Sequence, residues 1–328
     1  MLPGSAVTPP DSRLILLVAE RRDLAADLVV AELAKKGAAF LRWNCEDFPL
    51  SSTIIWEPTD RNTRLRLGSQ RFSLEQFKSA WYRRTPAPIL DGTAQVGAPG
   101  FVEREISTFL AGVWANSRML WINGPASVLR AENKLIQLAL AQELGFSTPR
   151  TIVTNDPSAA RSFVAAVPRA VVKSITGGTF EHSDEWWVLL THAVSAGHLE
   201  SDAAIQVAPC IFQERIEKGA DIRVTLVGAD IFAAHIVTTV GDEVDWRALD
   251  RHNLSYRPHA LPDELGSRCL EMLRRLGLTY GCFDFVLTPA RDYFFLEVNP
   301  SGQWGWVEHE LGFRITESIA RLLIEAAS

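Results

Sequence analysis

The sequence has few cysteines and no long apolar segment. Its four cysteines, Cys45, Cys210, Cys269 and Cys282, form no Cys-x-x-Cys pair, and no histidine lies at ligand spacing from any of them. A zinc finger and a disulfide framework are therefore disfavoured, and reduced thiols in a cytoplasmic protein are the expectation. The longest apolar run near the start, residues 14–19, is too short for a signal peptide, and no stretch approaches the ~20 apolar residues of a membrane span.

An excess of positive charge is also lacking. The formal net charge is −6, which disfavours a global electrostatic grip on nucleic acid or on an anionic membrane. Hydrophobic residues make up 47% and charged residues 22% of the chain, so a folded protein is expected. At ~100–200 residues per domain, 328 residues allow two or three domains. Ten tryptophans are a high count for this length.

The chain opens with a β-α-β pattern after a proline-containing lead-in over residues 1–12, which is expected to be disordered. Arg13–Val18 predicts a buried strand, a helix follows from about Asp23 to a glycine cap at Gly37, and Ala39–Trp43 predicts a second strand. This order predicts a small parallel sheet.

Two strands near the C-terminus bring acidic residues into an aromatic segment. The strands are Tyr280–Leu287 and Tyr293–Asn299, and a turn between Ala290 and Arg291 would place Asp284 opposite Glu297. The same register places Cys282 opposite Asn299. Strict alternation would also put Phe295, Glu297 and Asn299 on one face.

Facing carboxylates repel each other unless a cation lies between them. Oxygens of Asp284, Glu297 and Asn299 around one point suit Mg²⁺, which favours hard oxygen ligands. An exposed charged face of an edge hairpin is the alternative. The metal site is the favoured interpretation because the acids interrupt an otherwise buried aromatic pattern.

Two lysines and one strand end are ambiguous by themselves. Lys173 ends an apolar strand just before the glycine-containing segment 176–179, where backbone N–H groups can approach phosphates, but the spacing of a Walker A loop is missing. Lys134 is as ambiguous as Lys173, and a solvated lysine is the alternative for both. The segment Gln213–Ile216 follows another apolar strand and is either an adenine-binding hinge or an ordinary charged loop.

Taken in chain order, these pieces resemble the ATP-grasp ligases over about Trp121 to the C-terminus. The resemblance implies that Lys134 and Lys173 contact ATP phosphates and that Glu214 and Ile216, with Gln213 in the same hinge, frame the adenine. It implies Asp221 as the ribose-side acid and Asp284, Glu297 and Asn299 as the Mg²⁺ ligands.

A narrower match covers nearly the whole chain apart from the lead-in. Two segments resemble signature segments of the graspetide synthetases, the microviridin-type peptide macrocyclases. One is Asn299–Trp304 with Trp306 and Glu308, and the other is Trp81–Arg84 in the N-terminal part. The implied fold is a mixed α/β ATP-grasp fold. Its expected parts are a pre-ATP-grasp domain over 13–125, a central subdomain over 126–210 and a C-terminal subdomain with an antiparallel sheet over 211–328.

The implied chemistry begins at a Glu or Asp side chain of a precursor peptide, which attacks the ATP γ-phosphate to give an acyl phosphate and ADP. A Thr or Ser hydroxyl, or a Lys amine, then displaces phosphate and closes a ring. Arg223 is the candidate for stabilising the acyl phosphate. Arg247 is a candidate for steering the acidic side chain, with a plain surface-loop role as its alternative. No general base is assigned.

Peptide contacts are predicted at four positions. Arg83 and Trp304 lie in the two signature segments, and Glu181 and Asp184 lie in the span of about 176–196 that matches the family's leader-binding segment. A solvated acidic loop and helix start is the alternative for that span.

Two other functions compete with macrocyclisation. One is an ATP-grasp ligase that adds a free amino acid, such as glutamate, to a protein tail or cofactor, and it would share the nucleotide and metal residues. The other is a non-catalytic nucleotide-binding module, which the presence of both lysines and all three metal-ligand candidates disfavours. ATP and Mg²⁺ are the expected cofactors, and the expected partners are a precursor peptide and a second copy of the chain in a homodimer.

Overall fold

The computed structural model describes residues 13–58, 63–83, 99–176, 178–182, 185–238 and 244–327. The predicted lead-in, Arg84 of the first signature segment, and Asp184 lie outside these residues. None of the described helices is both long and apolar enough to cross a membrane.

The N-terminal part is built on a parallel sheet of four strands, as the β-α-β pattern predicts. The strands are β1 (Leu14–Ala19), β2 (Phe40–Asn44), β6 (Phe77–Tyr82) and β7 (Leu120–Ile122), in the order β2-β1-β6-β7. Helix α1 (Leu24–Lys35) follows β1, and its N-cap Asp23 accepts a hydrogen bond from the Ala26 N–H. Helix α2 (Pro99–Ala115) covers part of the other face.

A small antiparallel sheet is inserted between β2 and β6. It consists of β3 (Ser52–Ile55), β4 (Arg64–Leu67) and β5 (Gln70–Ser73). β3 pairs with β4 from Ser52 opposite Leu67 to Ile55 opposite Arg64. Leu65 and the partly buried Ile54 and Phe72 add this sheet to the core beneath the parallel strands.

The central part begins with α3 (Pro125–Ala131) and α4 (Lys134–Glu143). It continues with β8 (Thr151–Thr154), α5 (Pro157–Ala165), β9 (Ala170–Lys173), β10 (Gly178–His182), β11 (Glu185–Leu189), β12 (His192–Ala193), α6 (Asp202–Gln206) and β13 (Cys210–Glu214). An antiparallel sheet runs in the order β12-β9-β13-β8, and β10 pairs with β11 as a separate hairpin. The span of about 176–196 that is predicted to bind the leader therefore contains a β-hairpin.

The C-terminal part contains a five-stranded antiparallel sheet in the order β16-β15-β14-β17-β18. Its strands are β14 (Ala220–Val227), β15 (Asp230–Thr238), β16 (Leu254–Pro258), β17 (Tyr280–Leu287) and β18 (Tyr293–Asn299). Helix α7 (Asp263–Leu276) packs on one face of this sheet and ends at Gly277, whose φ of +72° suits a residue without a Cβ. The helices α8 (Gly305–Leu311) and α9 (Ile315–Ala327) complete the chain.

Helix α9 joins the N-terminal and C-terminal sheets into one core. Its buried Ile319 and Leu323 belong to the same cluster as Leu17 of β1 and Tyr280 of β17. The hydroxyl of Ser79 on β6 donates to the Leu323 carbonyl at 2.7 Å. The parallel sheet is therefore fixed against the sheet that carries the acidic hairpin.

The acidic hairpin confirms the predicted pair by a route that the sequence did not predict. Three residues, 289–291, form the turn, and Arg291 adopts a φ of +70°. This turn shifts the register by one residue, so that Phe285 pairs with Phe295. A bulge at Leu296 then restores the predicted register, and Asp284 lies opposite Glu297.

The same bulge makes one prediction wrong. Phe295 is fully buried in the α7 core together with Val298, while Glu297 and Asn299 lie on the opposite face. The extra residue breaks the period of two, so Phe295 does not share a face with Glu297. The aromatic ring enters the core and the two polar side chains face a cleft.

Candidate active site

A cleft of about 400 Å³ lies between the central and C-terminal sheets. Strands β9 and β13 form one wall, strands β14, β17 and β18 form the other, and the start of α4 closes one end. Ten of the residues predicted from the sequence line this cleft: Lys134, Lys173, Gln213, Glu214, Ile216, Asp221, Arg247, Asp284, Glu297 and Asn299.

The two facing carboxylates each have a cation of their own. Arg223 lies beside Asp284 on the neighbouring strand and donates to it at 2.7 Å. Burial raises the pKa of Asp284, the Arg223 guanidinium opposes that rise, and the charge of Glu297 adds to it. Burial would also raise the pKa of Glu297, but Lys134, whose Nζ is 3.3 Å away, and Lys173 hold that pKa below its ordinary value.

Asn299 supplies a third oxygen at the end of the same strand. Its Oδ1 accepts a hydrogen bond from the Ser301 N–H at 2.9 Å, and an amide oxygen has a second lone pair for a cation. Among the described residues, no group of three or more His, Cys, Asp or Glu side chains could hold a metal ion. Two carboxylates and one amide oxygen, completed by water or phosphate oxygens, are the donor set that Mg²⁺ takes in nucleotide sites, so these residues fit that ion.

Lys134 and Lys173 approach the acidic pair from the central part of the chain. Lys134 is the first residue of α4, directly after the N-cap Asn133. A cation is unfavourable at a helix N-terminus, so helix stability does not explain this lysine. Lys173 is the last residue of β9, and burial lowers its pKa to about 8 although Glu297 opposes that shift.

Gln213 and Asp221 are each held by a neighbouring side chain. The side-chain amide of Gln213 donates to Thr151 Oγ1 at 2.9 Å, and only 2% of Gln213 is exposed, so this side chain braces the hinge. Farther along, Lys218 donates to Asp221 at 2.9 Å and to the Val244 carbonyl at 3.2 Å. Burial raises the pKa of Asp221 to about 6, and Lys218 limits the rise.

Arg247 is held at the edge of the cleft by a buried carboxylate. Its Nε and Nη2 donate to the two oxygens of Asp245 at 2.8 and 2.6 Å. Burial would raise the pKa of Asp245, but Arg247 holds that pKa below its ordinary value. The bidentate geometry fixes the guanidinium while half of the Arg247 side chain stays exposed to the cleft.

The cleft as a whole carries a mixed charge. In the part of the chain that the structure describes, five cationic side chains line it: Lys134, Lys173, Arg215, Lys218 and Arg247. Six carboxylates in the same part also line it: Glu132, Glu214, Asp221, Asp245, Asp284 and Glu297. This near-balance suits polyphosphate bound together with a divalent cation better than a free polyanion.

Arg223 does not belong to the cleft lining. Its guanidinium lies behind Asp284, with 8% of the residue exposed, and its Nη2 donates to the Gln303 carbonyl at 3.3 Å. In this arrangement Arg223 holds Asp284 in place, and its predicted contact with an acyl phosphate stays a prediction.

Arg83 and Trp304 are closed off from any substrate, which contradicts the peptide contacts predicted for them. Only 1% of Arg83 and none of Trp304 is exposed. The Arg83 guanidinium lies over the rings of Trp81 and Trp304, at 5.7 and 5.1 Å from their centroids. Both side chains are buried between the two sheets, where they pack against each other and stabilise the junction. The side chains of Glu181 and Asp184 fall outside the described residues.

Sequence reasoning missed several residues that the fold brings to the site. Lys218 and Asp245 line the cleft, and Gln137 fixes β18 by donating to the Val298 carbonyl at 2.8 Å and accepting from its N–H at 2.9 Å. Gln137 lies one helical turn after Lys134, and Lys218 lies three residues before Asp221. Neither spacing has a specific meaning without the tertiary contacts. For Asp245 the local signal is its place two residues before the predicted Arg247.

Comparisons with known proteins agree with this geometry. The family model described as the MvdD pre-ATP grasp domain matches residues 14–128, and the RimK-like ATP-grasp domain matches residues 131–323. No protein with a curated description matches the chain.

Many solved structures resemble this chain, and three of them illustrate the likeness over nearly its full length. Macrocyclase MdnB from Microcystis aeruginosa MRC is 33% identical, with a TM-score of 0.81 over 95% of this chain and 99% of that one. Macrocyclase MdnC from the same organism, bound with precursor peptide MdnA, is 27% identical, with a TM-score of 0.84 over 95% and 99%. A RiPP-associated ATP-grasp ligase of Chryseobacterium gregarium, in complex with ADP and a leader and core peptide, is 27% identical, with a TM-score of 0.85 over 96% and 98%.

The RimK-like match covers more than half of the chain, and the similarity to MdnB extends over nearly all of it. Both agree with the family resemblance of the ordered lysine, hinge and carboxylate residues. The chain therefore belongs to the RimK-like ATP-grasp ligases and, with its MvdD pre-ATP-grasp domain, to the graspetide synthetase family.

Proposed function

We propose that this protein is an ATP-dependent macrocyclase that joins Glu or Asp side chains of a precursor peptide to Thr or Ser hydroxyls or to Lys amines. One observation carries the proposal: the likeness to MdnB and MdnC runs through the N-terminal domain as well as the ATP-grasp part. Ligation of a free amino acid would need the nucleotide and metal residues, but it gives no reason for an MvdD-type N-terminal domain.

The nucleotide would lie in the cleft with its phosphates toward Lys134 and Lys173. Glu214 and Ile216 would frame the adenine at the hinge, with Gln213 bracing that segment from behind. Asp221, held by Lys218, is placed to accept hydrogen bonds from the ribose hydroxyls. The ADP in the Chryseobacterium gregarium complex supports a nucleotide site in this family.

Asp284, Glu297 and Asn299 would hold Mg²⁺. The ion would supply charge neutralisation at the transferring phosphoryl group. Asp284 is already oriented by Arg223, and Glu297 by Lys134, so the two oxygen ligands are positioned before any cation enters.

The reaction needs positioning and charge neutralisation more than a covalent nucleophile. A substrate carboxylate oxygen attacks the γ-phosphorus of ATP. The bond between the γ-phosphorus and the β,γ-bridging oxygen breaks, and ADP leaves. The acceptor oxygen or nitrogen then attacks the acyl carbon, phosphate leaves, and the acceptor proton goes to solvent. Arg247 is exposed at the cleft edge and would steer the substrate carboxylate. Arg223 would act on the acyl phosphate step by holding Asp284 in place.

Three further parts of the proposal concern the setting of the enzyme. A precursor leader would bind near the β10–β11 hairpin, where Glu181 and Asp184 are predicted to contribute. A cytoplasmic location is consistent with four free cysteines. The homodimer stays a prediction.

The test combines the purified enzyme with ATP, Mg²⁺ and a short peptide encoded beside its gene that is rich in Thr or Ser and in Glu or Asp. Mass spectrometry should show the loss of one water per cross-link, with one ADP released for each. A matched peptide with its Glu and Asp residues replaced by Gln and Asn should stay unchanged. An unmodified peptide, together with ATP consumption that depends on a free amino acid, would refute macrocyclisation in favour of the amino-acid ligase.

A further inference from the structure

The segment that follows the acidic strand is held by side chains along its whole length. We call residues 300–303 the carbonyl loop. The Pro300 carbonyl accepts from Asn123 at 2.8 Å, and the Ser301 carbonyl accepts from Arg83 at 2.6 Å. The Gly302 carbonyl accepts from Arg83 at 3.1 Å and from the Tyr280 hydroxyl at 2.6 Å, and the Gln303 carbonyl accepts from Arg223 at 3.3 Å.

Two of these donors belong to the N-terminal sheet. Arg83 directly follows β6, and Asn123 directly follows β7, the neighbouring parallel strand. The carboxyl ends of parallel strands meet at one edge of a sheet, so both side chains reach the carbonyl loop from that edge. The N-terminal domain therefore contacts the backbone immediately after Asn299.

Arg83 is an unusual residue for a domain junction. Its guanidinium is buried, and Asp23, the carboxylate that pairs with it, is buried as well, with Nε and Oδ2 3.0 Å apart. An apolar pair of similar volume would fill this space at no greater cost, because desolvation offsets much of the attraction in a buried ion pair. What an apolar pair cannot supply is two hydrogen-bond donors for the carbonyls of Ser301 and Gly302.

The carbonyl loop is tightly packed at Gly302. A Cβ at Gly302 would come within 2.5 Å of Cys282 Cβ and 2.8 Å of Arg223 Nη2. The Ser301 N–H also donates to Asn299 Oδ1. A displacement of the loop would therefore turn the Asn299 amide and disturb Arg223, which orients Asp284.

We propose that Arg83, neutralised by Asp23, is a positioning residue by which the N-terminal domain sets the divalent-cation affinity of the cleft. It fixes the carbonyl loop, and the loop in turn orients Asn299 and the Arg223–Asp284 pair. This inference rests on the proposed role of Asp284, Glu297 and Asn299 as Mg²⁺ ligands. It predicts that a change at the domain junction alters cation affinity without touching the nucleotide contacts.

The test measures ADP binding by calorimetry in the full chain, once with MgCl₂ and once with EDTA. The Arg83→Lys variant keeps the charge beside Asp23 but lacks the planar guanidinium, whose Nε contacts Asp23 while its Nη1 donates to both carbonyls. The gain in ADP affinity caused by Mg²⁺ should fall by about tenfold or more in this variant, since removing a group that supports metal ligands costs ~10–100-fold in metal affinity. ADP affinity in EDTA should stay within about twofold of the parent protein.

Arg42→Lys is a matched control. Arg42 also donates to a carboxylate, Asp27, and to two backbone carbonyls, those of Glu20 and Arg21, but all three lie in the N-terminal domain. This variant should keep the full gain in ADP affinity that Mg²⁺ causes, which we call the Mg²⁺ gain.

The double variant Asp23→Asn with Arg83→Met separates positioning from stability. Asparagine keeps the cap of α1, and methionine fills the space between the two tryptophans without a buried charge. Cooperative unfolding should persist while the Mg²⁺ gain is reduced as in Arg83→Lys. An unchanged Mg²⁺ gain in either variant, or an equal loss of ADP affinity in EDTA, would overturn the inference. If the parent protein shows no Mg²⁺ gain at all, the proposed metal site itself fails.

Discussion

The lowered pKa of Lys173 makes nucleotide binding sensitive to pH in a defined window. With a pKa of about 8, about nine-tenths of this lysine is charged at pH 7 and about one-tenth at pH 9. A phosphate contact needs the charged form, so ADP affinity in the presence of Mg²⁺ should fall by about tenfold between these values, or about 1.4 kcal/mol of binding free energy. Binding should also take up a proton near pH 8–9, because the bound anion favours the ammonium.

The composition of the cleft makes Lys173 the clear source of such an effect. The lining side chains that the structure describes include no His, Cys or Tyr, and the pKa of Asp221 lies near 6, below the window. The second pKa of a phosphate monoester is also ~6. The nucleotide therefore does not change its own charge between pH 7 and 9.

Calorimetry of ADP binding at pH 7, 8 and 9, repeated in two buffers of different ionisation enthalpy, measures both the affinity and the proton uptake. The Lys173→Arg variant should bind ADP with little change across the window, because a guanidinium stays charged. Lys35→Arg, at a lysine whose side chain is 78% exposed, should behave like the parent protein. An equal affinity at pH 7 and 9 in the parent protein, or an unchanged tenfold fall in Lys173→Arg, would refute this assignment.

Two further predictions concern the acidic strand and the loop behind it. Glu297→Ala should abolish turnover while cooperative unfolding is kept, because Glu297 lies at the cleft wall and outside the apolar core. Glu264→Ala, which removes an exposed acid on α7, is the control and should keep full turnover. Substantial activity in Glu297→Ala would contradict the metal site. Gly302→Ala should lower the free energy of unfolding by about 1–3 kcal/mol, because the added methyl group overpacks the loop. Gly112→Ala, in an open position on α2, should raise the free energy of unfolding by about 0.5–1 kcal/mol. Equal stabilities of the two variants in urea titrations would show that the loop yields to a methyl group.

The N-terminal domain contacts the loop behind the acidic strand and not the cleft itself. Among the described residues, its sheet carries none of the side chains that line the cleft. It nevertheless contacts the carbonyl loop through Arg83 and Asn123, and α9 packs between it and the acidic sheet. Loss of that contact would leave the nucleotide contacts intact and still disturb the cation ligands.

The sequence by itself determined the types of the main elements. It also predicted the Asp284–Glu297 pair, although the structure reaches that register only through the bulge at Leu296. Alternation along a strand and the residues of caps and turns are local properties, so β1, α1, β17 and β18 can be predicted from short segments. The ordered set of lysines, hinge and acids was also enough for the family resemblance.

Only the tertiary structure decided which residues face the cleft and which hold it in shape. The bulge at Leu296 exists because Phe295 and Val298 both fill the α7 core, a constraint from residues distant in sequence. Arg83 meets the Ser301 carbonyl across 218 residues. No local pattern encodes such a contact, because the partners come together only when two sheets pack against α9. Burial then makes Arg83, a cation of the first signature segment, a structural hydrogen-bond donor.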